Sequence, residues 1–325
     1  MKEEEIRPAK IFEKYLSLTK EDTFTYFDKS KKEDSNCPGC DTKGKPSFVK
    51  HGFAYELCPN CYTLFVNPRP VSEAFSKYYT ESPSSKFWAS TFYKETADAR
   101  RIKIWKPRAK KIKEILERYA KNSQDIIDIG GGFGLFAEEI KDLTGQTPII
   151  IEPSPNLAEV CRKKKFPVIQ KFLEEVRIED LPMTSKTFIS FELFEHLHNP
   201  KKFLDQLRSL MNSGDLFIFT TLSGAGLDIQ VLWEDSNSVE PPHHLNFFNP
   251  KAIGNLLMRL GFELLEITTP GKLDIDILFN NQQKIKDRFW RHFISSATEI
   301  QKNQMQEIIA SSGNSSHMMI VCKKP

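Results

Sequence analysis

No stretch of this 325-residue chain holds the roughly 18 apolar residues that a membrane-spanning helix needs. The N-terminus, Met1-Lys2-Glu3-Glu4-Glu5, also lacks the apolar run of a secretory signal, so a cytoplasmic protein is expected. The chain has little charge of either sign in excess: 46 Lys and Arg stand against 43 Asp and Glu, and a net charge of +3 does not argue for a nucleic-acid partner. Cysteine is scarce at six, too few for a disulfide scaffold, and thiols stay reduced in the cytoplasm, so these six read as ligands or buried residues. Internal repeats and low-complexity segments are lacking too, which argues against a solenoid or a tail. The chain does have length and 39% hydrophobic residues, enough for one large core and a smaller companion.

Four of the six cysteines form two knuckles, Cys37-Pro38-Gly39-Cys40 and Cys58-Pro59-Asn60-Cys61, with 17 residues between them. Zinc takes four ligands at tetrahedral angles, and two tight turns can aim four thiolates at one point with no open position. A structural zinc ribbon is therefore expected over residues 35–68, with Cys37, Cys40, Cys58 and Cys61 as the metal ligands and short strands at 48–50, 53–55 and 64–66. A redox dithiol pair or an iron-sulfur centre is the alternative. Cys161 and Cys322 stand singly and read as small, semi-buried hydrophobes.

A helical segment covers residues 1–34, and a helical cap or linker spans 69–120. That cap contains a run of ten Lys and Arg from Arg100 to Lys121, opposed only by Glu114 and Glu117, which reads as a solvated helix face with an anionic ligand or partner as the alternative. From residue 121 the texture alternates between strand-like and helical units, the mark of a doubly wound, mostly parallel seven-stranded α/β sheet. Strands are predicted at 125–129, 148–152, 168–169, 187–192, 216–221, 262–267 and 318–322. A mostly helical insertion occupies 271–314. Residues 222–249 have no clean period, and a loop of that length in a compact domain is usually functional.

The first strand, Ile126-Ile127-Asp128-Ile129, runs straight into Gly130-Gly131-Gly132-Phe133-Gly134 and then a helix. Glycines allow a sharp turn and let a cofactor approach the backbone, while Glu152, 20 residues after Gly132, can hold an adenosine ribose. A dinucleotide pattern also fits, which keeps an NAD-dependent oxidoreductase as one alternative. Asp128 favours a positively charged ligand instead, because a carboxylate gains nothing beside a pyrophosphate.

These residues resemble the class I S-adenosylmethionine-dependent methyltransferases, a Rossmann-like transferase fold, over about residues 120–270 and the last strand. The likeness rests on Asp128, the glycine turn, Glu152, and Glu195-His196 after the fourth strand. It implies S-adenosyl-L-methionine as cofactor, with Asp128, Gly130, Gly131, Gly132, Gly134, Glu152, Glu195 and His196 around it, and an antiparallel seventh strand. A narrower likeness is to the nucleotide-sugar C-methyltransferases, which place a cysteine zinc module before the methyltransferase domain. They carry a Glu-His pair after the fifth strand, where this chain has Pro241-Pro242-His243-His244-Leu245-Asn246-Phe247-Phe248, with His243 in place of the glutamate. The activity this likeness implies is methyl transfer to a small acceptor, a nucleotide-linked sugar among the candidates, with His244 and His243 as catalytic residues; Tyr78, Tyr79 and Trp88, on the helical cap, are expected to close over the site as substrate contacts. The other alternative is an RNA- or protein-binding module or a macromolecule methyltransferase, in which the ribbon and the basic helices grip the partner.

Overall fold

A computed structural model describes residues 1–120 and 124–325, so Lys121, the last residue of the basic run, lies outside the described residues. The chain enters through helices α1 (Glu3–Ile6) and α2 (Ala9–Phe27), within the helical segment read from the sequence. Strands β1 (Lys32–Glu33), β2 (Lys45–Lys50), β3 (Phe53–Leu57), β4 (Leu64–Val66) and β5 (Arg69–Pro70) follow, with the cysteine knuckles in the turns around β2, β3 and β4. Helices α3 (Ser72–Glu81), α4 (Pro83–Phe87), α5 (Tyr93–Arg100) and α6 (Lys106–Tyr119) form the cap. Wide i→i+5 turns at Trp88–Phe92 and Arg101–Trp105 link the last three into one winding helix.

The main domain alternates as the pattern predicts: β6 (Asp125–Ile129), α7 (Leu135–Thr144), β7 (Ile149–Ile151), α8 (Pro155–Lys163), β8 (Val168–Ile169), β9 (Lys186–Phe191), α9 (Pro200–Leu210) and β10 (Leu216–Leu222). Then come α10 (Leu227–Leu232), β11 (Asn246–Phe247), α11 (Pro250–Arg259), β12 (Glu263–Thr268), the inserted helices α12 (Asp274–Asn280), α13 (Arg288–Ser296) and α14 (Glu299–Ser311), and β13 (His317–Lys323). The seven strands line up as β12-β13-β10-β9-β6-β7-β8. β13 runs antiparallel to both its neighbours, and the β10, β9, β6, β7 and β8 pairings are parallel.

Successive side chains of a strand point to opposite faces, and here both faces are buried. Ile127, Ile129, Phe188, Phe217 and Phe219 pack on one side against Phe203, Leu204 and Leu207 of α9 and Ile253, Leu256 and Leu257 of α11. Ile126, Ile189 and Ile218, their neighbours in sequence, pack on the other side against Ile112 and Ile115 of α6 and Phe136 and Ile140 of α7. That explains why these strands are continuous apolar runs rather than alternating ones. Cys161 and Cys322 are fully buried in such surroundings. Among the described residues no helix is long and apolar enough to cross a membrane.

The segment after β10 departs from the expected irregular loop. It folds into α10 and then β11, which joins the ribbon's own sheet in the order β11-β4-β3-β2. Asn246 lies opposite Phe65 and Phe247 opposite Leu64, and the Val66 amide donates to the Leu245 carbonyl at 3.0 Å. The ribbon and this loop thus share a core: Phe53, Tyr55, Leu64 and Val66 meet Phe27 of α2, Phe75 and Tyr78 of α3, and Val239, Leu245 and Phe247 of the loop. Phe247 is fully buried at this junction. Phe247→Ala should cost about 3–5 kcal/mol of unfolding free energy, the usual loss for a buried phenylalanine, measured by urea denaturation of the purified chain.

Candidate active site

Parallel α/β sheets bind ligands beyond the carboxyl ends of their strands, and the glycine turn sits there, after β6. The Gly130 amide donates to the Ile151 carbonyl at 2.8 Å, which ties the start of the turn to the end of β7. A side chain at Gly131 would meet Ile150 Cγ2 at 2.7 Å and Asp128 Oδ2 at 2.9 Å, so only glycine fits. Gly132, with φ of +55°, has no atom within 4 Å of where a Cβ would lie, leaving its outer side free for a ligand. Gly134, also left-handed, leads into α7.

Two carboxylates flank this turn. Glu152, just past β7, accepts the Gly132 amide at 3.0 Å and the Ser154 amide at 2.9 Å. Burial pushes its pKa up while those two amides pull it back. Its remaining lone pairs can accept ribose hydroxyls. Asp128 is 2% exposed, and its Oδ2 is buried without a hydrogen-bond partner. Burial, and secondarily the charge of Glu152, pushes the Asp128 carboxyl up to about 7. An orphaned acid beside an open glycine turn suits a ligand with positive charge, and S-adenosylmethionine has a sulfonium and an α-ammonium.

The second half of the site lies next to the first. Leu193, just after β9, comes within 3.4 Å of the position a Gly130 Cβ would take, and the turn Phe194–His196 follows it. The Glu195 carbonyl receives the Leu245 amide at 2.8 Å, and His196 Nδ1 donates to the His243 carbonyl at 2.9 Å. His244 Nδ1 donates to the Ser238 carbonyl at 2.7 Å, which leaves its Nε2 unprotonated. One donor atom from each of Glu195, His196 and His244 lies within 4.8 Å of the others, a set that can also hold a cation. Glu195 is pushed up to about 8 by burial, although it accepts the Thr221 hydroxyl at 2.9 Å. Burial lowers His196 and His244, and brings His243 down to about 3, so the three imidazoles are neutral at physiological pH.

His243 turns toward the cap. Its Nε2 lies 2.7 Å from the Tyr78 hydroxyl, which also meets Ser84 Oγ at 2.9 Å. Tyr79 packs 5.9 Å from the same imidazole. Trp88 reaches it only indirectly: it stacks on Phe92 and lies 4.8 Å from Tyr15, whose ring is 5.7 Å from His243. Tyr15, on α2, is thus a site-lining residue, although its sequence pattern marks it only as part of an apolar face.

A charged group missed from sequence completes the edge. Glu192, with φ of +52° at the end of β9, is bound by Arg108 Nη2 and lies 3.7 Å from Arg100 Nη2. Burial works against its charge, but the arginines hold its carboxyl far below the usual range. Both arginines belong to the run expected to be a solvated helix face. Their burial depends on which side of α5 and α6 meets the sheet, and a count of charges along the sequence does not carry that information.

The four knuckle cysteines converge as their spacing predicts. Cys37 and Cys61 Sγ lie 3.4 Å apart, as do Cys40 and Cys58, and all four sulfurs fall within 4.8 Å of one another. Four thiolates at about 2.3 Å from a tetrahedral zinc would be separated by about 3.8 Å, so the donor set fits that ion.

The family described as a methyltransferase domain matches residues 104–267, half of the chain. The mitochondrial ubiquinone biosynthesis O-methyltransferase of Schizosaccharomyces pombe is 29% identical over 113 residues, which are 33% of this chain and 41% of that protein. The match thus spans less than half of that relative's length. Among solved structures, the plantazolicin methyltransferase BpumL, in complex with a monoazolic desmethylPZN analog and SAH, shares 12% identity. Its TM-score is 0.50, covering 77% of this chain and 93% of that one, a likeness of fold alone. The sheet order, the antiparallel β13 and the glycine turn define a class I S-adenosylmethionine-dependent methyltransferase. The chain belongs to the methyltransferase-domain family.

A buried, partnerless Asp128 beside the glycine turn should make the binding of a cationic ligand there sensitive to pH. A cationic ligand binds its ionised form, so affinity for S-adenosylmethionine should fall below about pH 7, by up to about tenfold per unit, and level off above it. Calorimetric titration across that range checks this. Asp128→Asn should bind more weakly and show a flat profile.

Proposed function

We propose that this chain transfers the methyl group of S-adenosylmethionine to a small acceptor held between the glycine turn and the histidines, and that the acceptor is a nucleotide-linked sugar. The observation that carries this reading is the packing of the His243-His244 loop onto Glu195-His196, just after Leu193, which borders Gly130. When bound, the cofactor supplies an electrophilic methyl carbon on a sulfonium. Asp128 would face its positive charge, Glu152 would accept its ribose hydroxyls, and Gly130, Gly131, Gly132 and Gly134 would let it lie against the backbone.

Attack on the methyl carbon must be in line, and a hydroxyl or acidic carbon must lose its proton as it attacks. His244 takes that proton at Nε2: its Nδ1–H is held by the Ser238 carbonyl, and burial keeps the ring neutral with Nε2 unprotonated, at the cost of some basicity. His243 stands where the sugar C-methyltransferases have glutamate. Bonded to Tyr78, it fixes the loop against the cap, and Tyr79 and Trp88 close the acceptor side. The acid that the loop lacks is offered by Glu195, in the cluster with His244.

His244→Ala should leave cofactor affinity nearly unchanged and reduce turnover by about 10²- to 10⁴-fold, the span that general-base catalysis usually contributes. Glu152→Ala should weaken cofactor binding first. The comparison uses whichever member of a panel of nucleotide-linked keto sugars and sugar hydroxyls is methylated. Full turnover by His244→Ala would remove that residue from the mechanism, and rejection of every sugar would overturn the acceptor class.

The same reading puts a structural zinc at Cys37, Cys40, Cys58 and Cys61, holding the sheet that β11 joins. Elemental analysis should find about one zinc per chain. Stripping the metal with a chelator should abolish turnover while S-adenosylhomocysteine still binds. Iron in its place, or a metal-free chain of full activity, would refute the assignment.

A further inference from the structure

We propose that Arg100 and Arg108 seat an anionic group of the methyl acceptor, a carboxylate or a phosphate. This inference rests on the methyltransferase function proposed for the chain and names the chemistry of its acceptor.

Two guanidiniums converge on one carboxylate here, Glu192, which leaves one positive charge in excess. The surroundings are poor in water: the Arg100 side chain is 6% exposed and that of Arg108 is 12%. Aromatic rings wall the pair. The Arg108 guanidinium lies 5.0 Å from the Trp105 ring and 5.2 Å from Phe191, and that of Arg100 lies 5.7 Å from Tyr93. Arg108 also donates toward His317 Nε2 at 3.0 Å, which spends that imidazole as an acceptor and brings in no negative charge. A buried charge without a counter-charge is costly, and so is each buried N–H without an acceptor. Both faults occur together: Arg100 Nε and Arg108 Nη1 are buried and have no hydrogen-bond partner among the described residues. An oxyanion would relieve both at once, since guanidinium groups recognise carboxylate and phosphate through paired N–H donors.

Position argues that this anion belongs to the acceptor. Tyr93 stacks on Phe133 of the glycine turn with centroids 4.2 Å apart, and Glu192 lies three residues before Glu195. The arginines therefore border the glycine turn through Tyr93, and their carboxylate partner lies on the segment that leads from β9 to Glu195. Arg100 and His317 fall outside residues 104–267, the part shared with the family, whereas Arg108 and Glu192 fall inside it, so the pair is completed by Arg100 from outside the shared part. A cofactor common to a family is held by its shared part, whereas acceptor chemistry varies with what is grafted around it. Burial chiefly lowers the pKa of Arg100 and of His317, with a small added effect from Arg7, a guanidinium of the segment before α2 that is itself paired with Glu3 at 3.5 Å.

The test needs no turnover. The full chain, saturated with S-adenosylhomocysteine so that the cofactor's own carboxylate is in place, is titrated calorimetrically with inorganic pyrophosphate in one arm and benzoate in the other. At least one should bind, and Arg100→Met should weaken it tenfold or more while S-adenosylhomocysteine affinity changes less than twofold. Arg108→Lys keeps the charge but loses the planar fork, and should weaken the same anion even if Arg100→Met does not fold. Binding of neither anion would overturn the proposal. So would a loss, in Arg100→Met, of affinity for S-adenosylhomocysteine but not for 5′-methylthioadenosine, which lacks the amino-acid tail, because the arginines would then serve the cofactor. Failure of the wild-type chain to bind S-adenosylhomocysteine at all would instead overturn the methyltransferase function, and this inference with it.

Discussion

The Arg69 guanidinium is the tie on which the acceptor side of the molecule depends. It is 3% exposed and reaches three oxygens at once: the Val66 carbonyl at 3.0 Å, the His198 carbonyl at 2.6 Å and Asn246 Oδ1 at 2.6 Å. Those acceptors belong to the exit of the ribbon, the turn after β9, and β11. Burial lowers its pKa to about 10, still high enough to keep the charge at neutral pH, so all three bonds are charge-assisted. The Asn246 amide adds a 2.8 Å bond to the Leu197 carbonyl, and His198 Nε2 returns one to the Pro70 carbonyl at 2.9 Å. Three segments far apart in sequence are therefore held in one register, and the pairing of β4 with β11 extends that register into the loop that bears His243 and His244.

Because the histidine loop is a strand of the ribbon's sheet, order in the cysteine module passes directly into the site. A small ribbon has too little apolar surface to fold alone, and four converging thiolates are the usual remedy. Here the ribbon also presents Tyr55, whose hydroxyl donates to the His244 carbonyl at 2.9 Å. The metal-binding end and the imidazoles are thus separated by one short sheet rather than by a flexible linker. This gives the ribbon a function without any contact with substrate: it is the wall against which the loop is set.

The cofactor half is more legible in the sequence than the acceptor half, and the reason is physical. A turn that must come close to a ligand requires glycine at Gly131, and the orphaned Asp128 beside it is unusual enough to be noticed inside an apolar strand. Two CxxC knuckles are equally constrained by metal geometry. β11, by contrast, is only Asn246–Phe247, too short to show a period, and its partner lies some 180 residues earlier in the chain. Arg100 and Arg108 share composition with the exposed lysines around them, so only packing separates them. Tyr15 looks like one more apolar residue of a helix until α2 is folded against His243.

The two halves also differ in how they handle charge, and that difference fits in-line transfer. On the cofactor side an acid is kept short of partners, so that a cation entering the turn gains a counter-charge and the protein loses a strained group. Around the histidines the logic is reversed: burial holds Glu195 protonated and the imidazoles neutral, with His244 Nε2 left unprotonated, while buried N–H groups of Arg100 and Arg108 lack acceptors. On the proposed function, a cationic donor would be drawn to Asp128 and an anionic acceptor to Arg100 and Arg108. Aromatic rings of the cap and of α2 pack beside these groups, and the low dielectric they create would strengthen both attractions. The charges at Asp128 and at the arginines would then orient the two reactants, and the histidines would need only be near the proton that leaves.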